Sequence, residues 1–301
     1  ATTALVAVFG WMRDFEGEVI PRRLRPVAAV VISSAVPGFA TAPISAAHFN
    51  TIAHYGLVAN LLSVPLMGLL VIPAAVLAAV AAPFGLDGIP LWAMGLGLRW
   101  ILFVADVVSH WPGARSFVPG PGGWVLPLLS LGFLWLILWQ GRLRWLGCLA
   151  MSLSFILWQG TVRPEVLVAE TGTLVGVMTP TGRALSKEKG AGFVARNWLE
   201  NDGDGADQAK AARRWPDNEV SIIHLSGKRA VAAFTGCQSG EIVIASAKVE
   251  AARNWGCPVF DPVQLRETGA LALHRSPQGW QITTAKDRAG ARLWNSRPPR
   301  Q

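Results

Sequence analysis

A helical membrane domain of several spans, followed by a small water-soluble α/β domain, is the fold class that three features of the sequence predict. The first is composition. Of 301 residues, 51% are hydrophobic and 15% charged, against about 25% charged in an average soluble domain. The second is the placement of charge. Residues 1–160 hold 8 Arg, no Lys and 5 acids, whereas residues 161–301 hold 19 Lys and Arg and 14 acids. The third is tryptophan, nine of whose 14 copies lie in the first half. A disordered or fibrous chain is excluded by the mean hydropathy of +0.37, and an ordinary soluble enzyme is disfavoured. The division falls at residues 160 and 161.

The membrane half is read from its uncharged runs. Pro26 to Leu86 is 61 residues without Asp, Glu, Lys or Arg, room for at least two spans at about 20 residues each. Spans are predicted at Val27–Ala47 and Leu57–Ala82. Pro65 and Pro73 fall inside the second and predict a kinked or broken helix. Leu91–Trp111 is apolar but carries Arg99 and Asp106, seven residues apart on one helical face. It reads either as a span facing a polar interior or as an amphipathic helix at the interface. Two compact spans, Trp124–Gln140 and Leu143–Gln159, close the domain with Trp near their ends. That makes about five full spans. Ala1–Trp11 reads as the end of an earlier one, so the chain is expected to be the C-terminal portion of a larger membrane protein. Basic loops tend to be cytoplasmic. With Arg22, Arg23, Arg25 and the Arg142–Arg144 turn on that side, the C-terminal domain is expected outside the cytoplasm.

The second half alternates short β patterns with turn signals. Glu165–Glu170 and Leu174–Thr179 flank Thr171-Gly172-Thr173, and Leu271–Arg275 and Trp280–Thr284 flank Pro277–Gly279, two predicted hairpins. Val220–Leu225, Ala230–Thr235 and Glu241–Ala245 are read as β-rich; Phe193–Glu200 and Asp207–Trp215 as helical. In an oxidising compartment Cys237 and Cys257 would form a disulfide; otherwise they are two buried thiols. Cys148 lies in a predicted span and reads as a small core residue.

Within the uncharged run, His48, Asn50, Tyr55 and Asn60 are polar groups at or inside the membrane boundary. Such groups are costly in lipid and face protein or a water-filled path. Their context is specific: Thr41-Ala42-Pro43, then His48-Phe49-Asn50, then Tyr55-Gly56-Leu57, Asn60-Leu61 and Pro65-Leu66. This order resembles the end of the competence domain in the ComEC family, inner-membrane channels for DNA uptake. The resemblance implies transport of single-stranded DNA across the bacterial inner membrane during natural transformation. Its candidate path residues are His48, Phe49, Asn50, Tyr55, Asn60 and Pro65. A conduit for a polyanion needs water, polar groups and few acids, and Phe49 or Tyr55 would stack bases. The competing reading of the same residues is helix capping and interhelical hydrogen bonding.

The resemblance also implies partners: single-stranded DNA, the lipid bilayer, a cytoplasmic motor ATPase, a periplasmic DNA-binding protein and further copies of the chain. No P-loop occurs in the sequence, and no cofactor is expected. Many ComEC-type proteins carry a metallo-β-lactamase-like domain whose His-x-His-x-Asp-His pattern holds metal ions. Here the second half has only His224 and His274, and no His-x-His occurs. A degenerate domain of that type without metal, or a different domain, is therefore expected, with no nuclease activity and no catalytic residues. Asp202, Asp204 and Asp207 read as a solvated acidic loop, because Arg213 stands where a calcium loop needs Glu. His224-Leu-Ser226-Gly-Lys228 reads as a strand end and turn. The net charge of +8, with Arg213-Arg214-Trp215 and the tail Arg297–Arg300, suits an anionic partner. Two other functions fit the same features, a membrane-anchored binding or assembly module and a transporter of another solute.

Overall fold

The computed structural model describes residues 2–14, 21, 23, 25–216, 221–250, 255–290 and 292. Arg22, Val220 and the basic tail Arg297–Arg300 lie outside the described residues. The chain divides into two compact units, Ala1–Thr161 and Val162–Gln301.

The first unit is helical. Helix α1 (Thr2–Asp14) precedes α2 (Arg25–Phe49), whose 25 residues contain Pro37 and Pro43. A short strand β1 (Thr51–Ala53) leads into α3 (Gly56–Leu66). A π turn at Met67–Val71 joins α3 to α4 (Ile72–Ala81). The expected break in this segment is therefore a widened turn inside one continuous helical rod, Gly56–Phe84. Pro73 lacks the N–H that an α-helix would use, and its ring crowds the preceding turn. The π turn absorbs that crowding: the N–H of Ile72 reaches back five residues to the Met67 carbonyl. Helix α5 (Gly88–Ser109) follows, then strand β2 (Arg115–Phe117).

The unit ends in a hairpin of α6 (Val125–Leu138) and α7 (Leu146–Gln159). Three helices are long and apolar enough to cross a membrane: Val27–Phe49, Gly56–Phe84 and Gly88–Ser109. Leu91–Trp111, open between span and surface helix, thus has spanning length. The last two predicted spans form helices of 14 residues each, about 21 Å long against a hydrocarbon core of about 30 Å. They are shorter than expected because the chain turns extended at Trp139 and left-handed at Gly141. Glycines set the helix spacing. A Cβ on Gly97 would lie 2.6 Å from Val71 in the π turn, and one on Gly132 would lie 2.8 Å from the Gly147 carbonyl. Outward faces carry Leu69, Val80, Leu102, Leu131 and Ile156, all more than half exposed, as suits contact with lipid.

The second unit opens with β3 (Val166–Val168), β4 (Val175–Thr179), β5 (Gly182–Leu185), α8 (Gly192–Asn201) and α9 (Gln208–Ala212). It continues with β6 (Ile222–Leu225), α10 (Lys228–Ala233), β7 (Ile242–Ala245) and β8 (Val259–Phe260). It closes with α11 (Pro262–Thr268), β9 (Leu271–Ser276), β10 (Gly279–Thr284) and α12 (Ala285–Ala289). Five strands make an antiparallel sheet in the order β10-β9-β3-β4-β5, and β6-β7-β8 make a parallel one. Their inward residues share a core: Val166, Val168, Val175 and Leu273 pack with Ile222, Ile242 and Ile244. Both predicted hairpins are present, β3–β4 and β9–β10. Ala230–Thr235 is not a strand. It lies largely in α10, because parallel strands β6 and β7 need a crossover that returns the chain to the same edge. Cys237 and Cys257 are joined as a disulfide, with Cα atoms 6.3 Å apart. Their neighbours Leu225, Val231 and Trp255 form a satellite core.

Candidate functional site

The polar motif of the first unit sits where α2 ends, α3 begins and the chain returns after α5. Asn50 is buried and left-handed, with φ 55°. It lets the chain leave α2 sharply, and its side-chain amide donates to the Val118 carbonyl at 3.3 Å. Strand β1 then pairs antiparallel with β2, setting Thr51 opposite Phe117 and Ala53 opposite Arg115. The His54 ring lies 2.6 Å from the Ser116 hydroxyl, and the Tyr55 hydroxyl donates to the Pro112 carbonyl at 3.3 Å. The Tyr55 ring meets Trp111 edge-on, with centroids 5.1 Å apart. Asn50 and Tyr55 therefore clasp the loop after α5.

Below this clasp a cavity of about 380 Å³ opens between α2 and α3. Its polar lining comes from Ser34, Thr41 and Ser45 of α2, Thr51 and His54 of the junction and Asn60 of α3. Among the described residues, no Asp, Glu, Lys or Arg lines it. The Thr41 hydroxyl donates to its own helix, at the Pro37 carbonyl 2.7 Å away. Ser34 differs: its hydroxyl is buried with no protein partner. A buried hydroxyl without a partner costs about 1–3 kcal/mol.

The six sequence-chosen residues thus separate. Asn60 lines the cavity. Asn50 and Tyr55 hold the junction. His48 and Phe49 are exposed on the last turn of α2, and Pro65 stands near the end of α3. Ser34, Thr41 and Ser45 were missed as cavity residues. Their signal was present as a helical stripe of small and hydroxyl residues, Ser34, Gly38, Thr41 and Ser45.

In the second unit the acidic segment is not a solvated loop. Asp202 is nearly buried and holds the buried Arg183 together with Arg163. Asp204 pairs with Arg214, and Asp207 caps α9 by accepting from the Lys210 N–H at 2.7 Å. The Asp204 carboxyl is raised by burial, but Arg214 and the Ala206 N–H outweigh that and hold it below its ordinary value. In the basic Arg213-Arg214-Trp215 stretch, Arg214 pairs with Asp204 and Trp215 packs against the main core. Among the described residues, no three His, Cys, Asp or Glu side chains group as metal ligands.

Three apolar helices long enough to cross a membrane fit a helical membrane protein. Residues 1–143 match the Competence family, described as competence protein. No curated protein and no solved structure matches the chain.

Proposed function

We propose that the chain contributes to a conduit carrying single-stranded DNA across the bacterial inner membrane during natural transformation. The observation that carries the reading is the Competence match, because it covers the helices that frame the cavity. The chemistry of that cavity agrees. Hydroxyl, amide and imidazole groups are set among its largely apolar walls, and the lack of acids among the described lining residues spares a polyanion repulsion. In this reading the Arg23–Arg25 end of α2 is cytoplasmic and the second unit extracytoplasmic. A cytoplasmic motor ATPase supplies energy, a periplasmic DNA-binding protein delivers the strand, and further copies of the chain complete the pore. The second unit, a degenerate metallo-β-lactamase-like domain or another α/β domain, cleaves no DNA.

The test is entry of labelled DNA into cells making the full-length protein. Asn60→Leu replaces the cavity amide by an apolar group of similar size. Uptake is expected to fall at least about tenfold, the effect of about 1.4 kcal/mol, with the protein still at normal level in the membrane. Undiminished uptake in that variant removes the cavity from the path. Undiminished uptake after loss of the whole gene removes the conduit.

A further inference from the structure

Phe39 of α2 lines the cavity between α2 and α3 and also a second, apolar groove. That groove has a volume of about 550 Å³ and lies between α1, α2 and α6, with Ala7, Ala40, Leu136 and Ile137 among its walls. Its size falls in the range of about 300–1,000 Å³ that holds small ligands. Arg144 and Trp145 also line it, and Arg144 is its one charged lining residue among those described. The Arg144 guanidinium lies 5.9 Å from the Trp145 ring centroid, and no described residue forms an ion pair with it. The surroundings mark a water–lipid boundary. Trp135 and Trp139 stack with centroids 4.3 Å apart, and the Trp135 indole donates to the Leu143 carbonyl at 3.0 Å.

We propose that this groove binds an anionic phospholipid, one of its acyl chains between Ala7, Ala40, Leu136 and Ile137 and its phosphate at the Arg144 guanidinium. An apolar slot whose one charged residue among those described is a cation matches one acyl chain and the anionic head of such a lipid, its second chain remaining in the bilayer. A further spanning helix, about 10 Å across and 30 Å long, occupies about 2,300 Å³, several times the groove. A zwitterionic phospholipid has the same chains, but its own cation competes for the phosphate.

The experiment is native mass spectrometry of the full-length protein released from vesicles of equal phosphatidylglycerol and phosphatidylcholine. Wild type is expected to retain phosphatidylglycerol about fivefold over phosphatidylcholine, the effect of roughly 1 kcal/mol from one basic residue at the surface. Arg144→Gln abolishes the preference, and Arg115→Gln, a basic residue outside the groove, leaves it. Ala40→Trp fills the groove and lowers retention of both lipids. Equal retention by wild type overturns the proposal, as does a preference that survives Arg144→Gln. A protein that retains neither lipid also overturns it, because another part of the protein then closes the groove.

Discussion

Asn50 illustrates how far single residues could be read. Its polarity in an uncharged run marked it out, and it is indeed a buried amide at a helix end. Its partner, the carbonyl of Val118, is 68 residues away, a distance that no local pattern encodes. The same limit explains the acidic segment. Asp202 looks like a loop residue until Arg183, 19 residues earlier, is placed beside it. His224 carries a prediction at this scale. Burial pushes its ring below the ordinary value of 6.5, the Lys187 charge adds to that, and the hydrogen bond to the Gly172 carbonyl at 3.0 Å opposes it. A folded-state value below the unfolded one means that the unfolded chain takes up protons first. The contribution is fully present above about pH 6.5 and is lost as pH falls through that value towards the folded one. Hydrogen exchange of β6 and the Thr171–Thr173 turn, corrected for intrinsic rates, should show protection falling by up to about 1.4 kcal/mol per pH unit in that window. His224→Gln should flatten the profile. A wild-type profile already flat from pH 7.5 to about 5.5 would sink the argument.

Elements were legible where local chemistry dictates them. Thr171-Gly172-Thr173 and Pro277-Gln278, the latter followed by Gly279 at the start of β10, carry turn chemistry whatever surrounds them, so both hairpins could be drawn from the sequence. The alanine-rich stretch at residues 230–235 has no such signature, and the crossover between β6 and β7 decides it as helix. The π turn was foreshadowed by Pro73, though its site against Gly97 is a matter of packing. The α6–α7 hairpin depends on close approach in the same way. A Cβ on Gly147 would collide with the Gly132 carbonyl and would lie 2.8 Å from the Leu136 backbone nitrogen. Backbone cannot swing aside as a side chain can, so the helices must separate. Gly147→Val should destabilise the first unit by about 1–3 kcal/mol or more, seen as a lower melting temperature of the full protein in detergent. Gly95→Val is the matched control, because a Cβ there meets nothing within 4 Å. Equal melting temperatures for the two variants would mean that the glycine contact does not hold the hairpin.

At the scale of the whole molecule, strand pairing constrains how the chain crosses the membrane. Strands β1 and β2 are hydrogen-bonded partners, so both lie on one side. The rod Gly56–Phe84 and α5 run between them, and two crossings return the chain to that side. The α6–α7 hairpin begins after β2 and adds either two crossings or none, depending on whether its 14-residue helices span. In both cases the chain emerges from α7 on the β1–β2 side, opposite the Arg23–Arg25 end of α2. If basic segments stay cytoplasmic, residues after α7 enter an oxidising compartment, where a disulfide persists. The Cys237–Cys257 bridge therefore reports orientation. Of the cysteines in residues 1–301, only Cys148 should alkylate when the protein from intact cells is denatured without reductant, and Cys237 and Cys257 should join it after reduction. Reduction should also cost the second unit about 3 kcal/mol, from a closed loop whose ends are 20 residues apart. Alkylation of all three without reductant would place the second unit in a reducing compartment. The proposed direction of the conduit would then be reversed, because the polar clasp would face the cytoplasm rather than the incoming strand.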